Sequence, residues 1–236
     1  MYQLKLDIKV EYDDKPPKVG ALPREFYEKD TIDVAINLLG KILVHETDDG
    51  KCSGKIVETE AYLGENDLAC HASHGVTERT KIFWGPQGKA YVFVNYGIYF
   101  CLNAITMPIG KAGCVLIRAV DPLEGIDLMI KRRKNPKKIK DLTNGPGRLT
   151  QAFGITDKHN GFDLTYSSLY ILVNKEKIEN IKVSRRIGIT KHTESYLRFF
   201  VDNNIYVSGT KKHNAQAISL EEFQKGRVKY LAGIRV

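Results

Sequence analysis

The chain has 236 residues, is 42% hydrophobic and carries a formal net charge of +8 at a sequence pI of about 9.2. That suffices for one large core or two small ones, while a mean hydropathy of -0.30, with no apolar run near the ~20 residues of a bilayer span, excludes a membrane-spanning helical protein. The basic balance favours a polyanionic partner, and Cys52, Cys70, Cys101 and Cys114, lacking any CxxC pair, read as reduced structural thiols.

Residues 1–20, polar and carrying Pro16-Pro17, read as an arm or edge strand ahead of one domain spanning 21–236. Their mixed charges are unlike a signal peptide, so an intracellular protein is expected. DTIDVAINLLG (30–40) predicts a helix with Asp30 as N-cap and Gly40 as terminator. KILVHET, a DDG turn and KCSGKIVETEAY predict a hairpin, with β-branched residues on both arms.

YVFVNYGIYFCLN (91–103) predicts a second hairpin turning at Asn95-Tyr96-Gly97. Asparagine and glycine tolerate the positive φ of a tight turn. A tyrosine at a tip facing water is out of place there. AGCVLIRAV reads as a buried strand, and Asp121-Pro122-Leu123-Glu124 as a helix start with Leu123, Ile126 and Ile130 on one face. That helix runs into KRRKNPKKIK (131–140), a basic run that reads either as a solvated loop or as a non-specific phosphate grip. NGPGRLTQAFGI predicts a third helix, ending at Gly154. SLYILV, IKVSRRIGI, LRFFV and IYVSG predict further strands. The pattern is α+β: a single compact domain, mainly antiparallel sheet, with flanking helices.

VETEAYLGENDLACHASH (57–74) crowds Glu58, Glu60, Asp67, His71 and His74 beside a tyrosine. On a strand the two glutamates share a face, which suits either an acid–base pair or a solvated sheet surface. A metal site from Cys70, His71 and His74 fits no common zinc spacing. NGPGRL suits either a backbone phosphate or plain helix-start geometry.

Four ordered motifs, IVETEAYLGENDLACHAS, YVFVNYGIYFCLN, VLIRAVDPLEG and NGPGRL, resemble the alkyladenine (3-methyladenine) DNA glycosylase family, from about Leu22 to the vicinity of Ser208. The resemblance implies a monofunctional base-excision enzyme that flips damaged purines from double-stranded DNA and hydrolyses the N-glycosidic bond with an activated water. It implies Glu60 as general base with Arg118 beside the water. It also implies Tyr62, His71, Phe93 and Asn103 as the base pocket, with Asn103 excluding guanine's amino group. Tyr96 would be the DNA wedge, flanked by Ile98. Phosphate contacts would come from Lys131, Arg132, Arg133, Gly145, Gly147 and Arg148. Two positions depart from the family's commoner pattern: Phe93 stands where tyrosine is frequent, and Ile98 where methionine is familiar. The expected protein is a DNA-associated monomer without cofactor, metal or membrane contact. A DNA-binding protein without catalysis, a metal-dependent hydrolase and an RNA-modifying enzyme are the rivals.

Overall fold

Among the described residues, β-branched and aromatic runs make nine strands, and the long central one, β2, organises the rest. The computed structural model describes residues 15–234. The strands are β1 (Ile42–Thr47), β2 (Gly50–Tyr62), β3 (Ala90–Asn95), β4 (Tyr99–Ile105), β5 (Cys114–Glu124), β6 (Leu169–Leu172), β7 (Ile181–Ser184), β8 (Arg198–Val201) and β9 (Ile218–Ser219). They form one antiparallel sheet in the order β3-β4-β5-β2-β8-β7-β9, with β1 bridging β2 and β6. β2 pairs with β5 along one edge. On the other it pairs with β1 in its first half and β8 in its second.

The helices are α1 (Arg24–Tyr27), α2 (Thr31–Leu38), α3 (Ile126–Arg132), α4 (Pro146–Phe153), α5 (Lys211–Ala215), α6 (Leu220–Lys225) and α7 (Arg227–Tyr230). α2 starts as its sequence predicts, with the Asp30 carboxylate accepting from the backbone N–H of Ile32 (3.0 Å) and Asp33 (3.4 Å). The Thr59 hydroxyl donates to the Ala35 carbonyl at 2.8 Å, tying β2 to α2. α4 has Pro146 at its first turn and the left-handed Gly154 as C-cap, and Thr150 fastens it to the Phe100 carbonyl of β4 (2.9 Å). Ile32, Leu38, Ile56, Leu102, Ile117, Phe153 and Phe199 share one core, into which α6 sends Phe223 edge-on to Phe199 (ring centroids 5.5 Å).

Three predicted elements differ. Asp121–Glu124 continues β5 instead of opening a helix, because Asp121 and Pro122 pair with Lys55 and Gly54 of β2. A Cβ on Gly54 would meet Val120 Cγ2 at 2.8 Å, so glycine permits that close pass. α3 starts only after the left-handed Gly125, which leaves Leu123 exposed. IKVSRRIGI is strand only to Ser184, since Arg186 and Ile187 turn inward to bond acidic side chains. IYVSG forms no strand: Tyr206 packs on Val57 and Ala119, and Ser208 bonds Glu58. Of the predicted N-terminal arm, residues 1–14 lie outside the described residues. Residues 15–20 form no strand, and Ala21 makes an isolated bridge to Leu172.

Candidate active site

In β2, Val57 has no partner in β5: Ile56 faces Val120 and Glu58 faces Ala119. This bulge resets the strand's alternation. Ile56 and Ala61 enter the main core and Thr59 reaches α2, while Glu58, Glu60 and Tyr62 share the opposite face. β5 and β8 flank β2 on its two edges and lay Arg118 and Arg198 over that face. Ile187 and Ser208 bond the same carboxylates, so Glu58 and Glu60 are both fully buried rather than set on a solvated surface.

Two buried arginines neutralise them. Arg118 Nε donates to Glu58 Oε1 (3.0 Å), and its Nη1 lies 3.1 Å from Glu60 Oε1. Arg198 Nε donates to Glu58 Oε1 at 2.5 Å, and Ser208 donates to Glu58 through its backbone N–H (2.7 Å) and hydroxyl (2.9 Å). The result is an alternating row, Arg198, Glu58, Arg118, Glu60. Burial alone pushes the Glu58 carboxyl up, but Arg118 and Arg198 outweigh it and hold it below the usual carboxylate range. Burial also works against the charge on Arg118, yet Glu60 and Glu58 keep its guanidinium firmly protonated.

Glu60 differs from Glu58 in what lies beyond it. Its Oε1 accepts from the Ile187 backbone N–H (2.8 Å) and its Oε2 from the Tyr62 hydroxyl (2.9 Å). Burial and the Glu60 charge raise the Tyr62 phenol well above its ordinary range, so it stays a donor. Tyr62, Arg118 and Ile187 all line a cavity of about 390 Å³, which puts the carboxylate directly behind the wall. A volume of that order suits a small ligand.

The cavity is walled by Tyr62, His71, Phe93, Phe83 and Tyr91, floored by Asn103, Cys114 and Leu116, and rimmed by Asn95, Tyr96 and residues 187–191. Asn103 is fixed at both ends of its amide: Nδ2 donates to the Tyr91 carbonyl (3.0 Å), and Cys114 Sγ donates to Oδ1 (3.8 Å). Buried Asp67 ties the neighbouring loop to the rim, pairing with Arg186 at 2.8 Å while the Arg186 guanidinium lies 4.7 Å from the Tyr62 ring centroid. Among the described residues no three His, Cys, Asp or Glu groups converge as a metal site would require.

The hairpin tip corrects the expected turn. Asn95 ends β3, and Tyr96 itself takes the left-handed conformation (φ 52°), followed by Gly97 (φ 69°). A non-glycine residue there costs on the order of 1–2 kcal/mol. Tyr96 is nevertheless 77% exposed and Ile98 71% exposed, so no core packing offsets that strain. The turn end of the hairpin is held by α4, where a Cβ on Gly147 would meet Cβ of Tyr99, the partner of Asn95, at 2.8 Å. Only glycine lets the two approach so closely.

The family profile described as methylpurine-DNA glycosylase matches residues 25–205. The chain belongs to that family. Relatives carrying the name "Putative 3-methyladenine DNA glycosylase" include one from Chlorobium phaeobacteroides, 46% identical over 196 residues (82% of this chain, 98% of the relative). One from Carboxydothermus hydrogenoformans is 45% identical over 189 residues (79% and 98%), and one from Clostridium acetobutylicum 45% over 202 residues (81% and 98%).

Of the residues singled out from the sequence, Tyr62, His71, Phe93, Tyr96, Asn103 and Arg118 converge on the cavity, and Glu60 stands behind it. The predicted phosphate contacts divide. Lys131 is exposed, but Arg132 is turned inward to Thr47 Oγ1 (2.9 Å) and Cys52 Sγ (3.5 Å), and Arg133 to the Asp141 carbonyl (3.1 Å) and Gln151. Arg148 pairs with Asp141 at 2.9 Å. Arg198, Ser208, Ile187 and Arg186 were missed by sequence reasoning. The one signal for Arg198 is a lone charge inside the apolar run LRFFV.

Buried His45 and half-buried His71 make stability pH-dependent. Burial, with Arg79 and His74 adding, lowers His71 to about 4; burial, opposed by the bond to the Phe153 carbonyl, lowers His45 to about 4. The unfolded chain gains these protons near 6.5 and the folded protein only near 4, so stability rises with pH across that window. Melting temperature is expected to fall between pH 7 and pH 5, with a smaller fall in His71→Gln. An equal or higher value at pH 5 would contradict the assignment.

Proposed function

We propose that the cavity takes an alkylated or deaminated purine (3-methyladenine, 7-methylguanine or hypoxanthine) flipped out of duplex DNA, and that Glu60 activates the water that releases it. The coarser statement follows from the family: the chain is a DNA-3-methyladenine glycosylase of base-excision repair, acting on DNA. The observation that carries the finer reading is the placement of Glu60. It is gripped by Arg118, Tyr62 and Ile187 behind an aromatic cavity whose rim bears an exposed tyrosine.

A base must leave the stack before C1′ can be attacked, and extrusion costs a few kcal/mol. Tyr96 on its rigid hairpin fills the gap and restacks the neighbours. Tyr62 and Phe93 stack on the extruded base with the steeply inclined His71 ring set across its edge, and a cationic lesion gains cation–π energy from the phenol and phenyl rings. Asn103, locked by Tyr91 and Cys114, opposes guanine's 2-amino group, so unmodified guanine is rejected. The 7-methylguanine lesion, which keeps that group, is the poorest of the three and relies on its positive charge. Glu60 Oε2 has one partner where a carboxylate oxygen accepts two, which leaves an acceptor for a water proton. The Glu60 carboxylate also steadies the positive charge developing on the sugar, while Arg118 holds the carboxylate in place and positions the water or an adjacent phosphate. Lys131, Lys134, Lys137 and Lys138, together with the N-terminal end of α4, grip phosphates without reading sequence. The enzyme works as a monomer and needs no metal.

The deciding experiment is base release in chelator from duplex DNA carrying methylated purines or hypoxanthine. Free base and an uncut abasic strand are expected; borohydride trapping of an enzyme–DNA adduct would overturn the water mechanism. Tyr96→Ala is expected to lower excision by roughly 10- to 100-fold, the worth of a stacking contact, with melting temperature nearly unchanged because the side chain is exposed. A large loss of melting temperature would mark Tyr96 as a packing residue instead.

A further inference from the structure

The Tyr91 hydroxyl lies between two nitrogens: Arg79 Nε at 3.0 Å and His71 Nδ1 at 2.8 Å. An arginine Nε–H only donates, so the phenol oxygen accepts there. With Arg79 on one acceptor site of the oxygen, the single phenolic proton is left to point at His71 Nδ1, the arrangement in which Nδ1 is the bare nitrogen and the ring's own proton sits on Nε2. The Arg79 guanidinium also lies 5.2 Å from the centroid of Phe93, whose ring meets that of His71 at 4.7 Å. His71 and Phe93 are both cavity walls, whereas Arg79 is exposed.

We propose that Arg79 is a positioning residue that sets base selectivity: through Tyr91 it fixes the His71 proton on Nε2, and its charge beside Phe93 disfavours cationic bases. The inference rests on the glycosylase reading above. A histidine held this way offers the cavity an N–H donor, which matches the 6-carbonyl of hypoxanthine and opposes the 6-amino group of adenine or 3-methyladenine. The second effect has the same sign, since hypoxanthine is neutral and 3-methyladenine in DNA is cationic. Arg79 therefore tilts the cavity towards deaminated purines. Without it the Tyr91 oxygen is free to accept from Nδ1–H, and His71 samples both tautomers.

The test has two independent readouts on the full-length protein. In ¹⁵N-labelled wild type, His71 (assigned by the signals lost in His71→Gln) is expected to show an unprotonated Nδ1 and a protonated Nε2, with averaging of the two in Arg79→Met. Single-turnover release of hypoxanthine from duplex DNA is expected to fall about tenfold in Arg79→Met, the worth of one hydrogen bond, while release of 3-methyladenine does not fall and rises by about twofold or more. Arg79→Lys, which keeps a donor and the charge, should recover most of the loss. A protonated Nδ1 in wild type, or an equal fall for both lesions, would overturn the proposal. Failure of wild type to release either base would overturn the glycosylase reading, while the nitrogen shifts would still decide whether Arg79 controls the tautomer.

Discussion

Glu60→Gln is expected to reduce base release by about 10³-fold, within the range that a positioned general base supplies, while leaving the fold and duplex binding intact. The reason lies in how Glu60 is surrounded. Its Oε1 accepts from Ile187 N–H, which an amide oxygen continues to do, and lies 3.1 Å from Arg118 Nη1. On the other side an amide nitrogen can donate to the Tyr62 oxygen, reversing the present bond. Arg118 and Arg198 each still touch the Glu58 carboxylate, which they then share. What the substitution removes is the capacity to take a proton from water, and single-turnover excision isolates that step. Release within tenfold of wild type would remove Glu60 from the mechanism, and loss of duplex binding would assign it to DNA contact instead.

The sequence displayed some of this architecture and concealed the rest, for reasons that follow interaction range. The Asp30 cap and the Pro146-to-Gly154 helix were legible because their determinants lie within one turn. The hairpin around Tyr96 was legible for the same reason, although its left-handed residue is the tyrosine and not the asparagine. Motif resemblance located the cavity residues. By contrast, Glu58 and Glu60 read equally well as a solvated face, because nothing in residues 50–62 announces that β5 and β8 will enclose them. Arg198 arrives from 140 positions away to pair with Glu58, and the bulge at Val57 has no local mark. Asp121-Pro122 carried a sound helix-start signal that pairing with β2 overrode. In the basic run the charge was evident, but not that Arg132 and Arg133 would turn inward.

Glu58, which spacing alone could not distinguish from Glu60, is expected to show the opposite phenotype: Glu58→Gln should destabilise the fold by about 3–5 kcal/mol, the cost of breaking a buried pair. Glu58 takes four hydrogen bonds, from Arg118, from Arg198 and two from Ser208, and its carboxylate balances two buried guanidinium groups. The amide keeps the size but leaves Arg198 with no carboxylate partner. Because the Glu58 carboxyl sits below the ordinary range, its contribution is present above the unfolded carboxylate pKa and is lost as pH falls through the lower folded value. Denaturant unfolding at neutral pH should therefore show the full deficit, which narrows in acid as wild type itself becomes protonated. Adding Arg198→Met to Glu58→Gln should recover part of it, since the pair is then replaced rather than broken. A Glu58→Gln protein with native stability but no excision would reverse the division, making Glu58 a participant in the chemistry. Native stability together with native excision would mean that Arg118 and Arg198 find their counter-charge elsewhere.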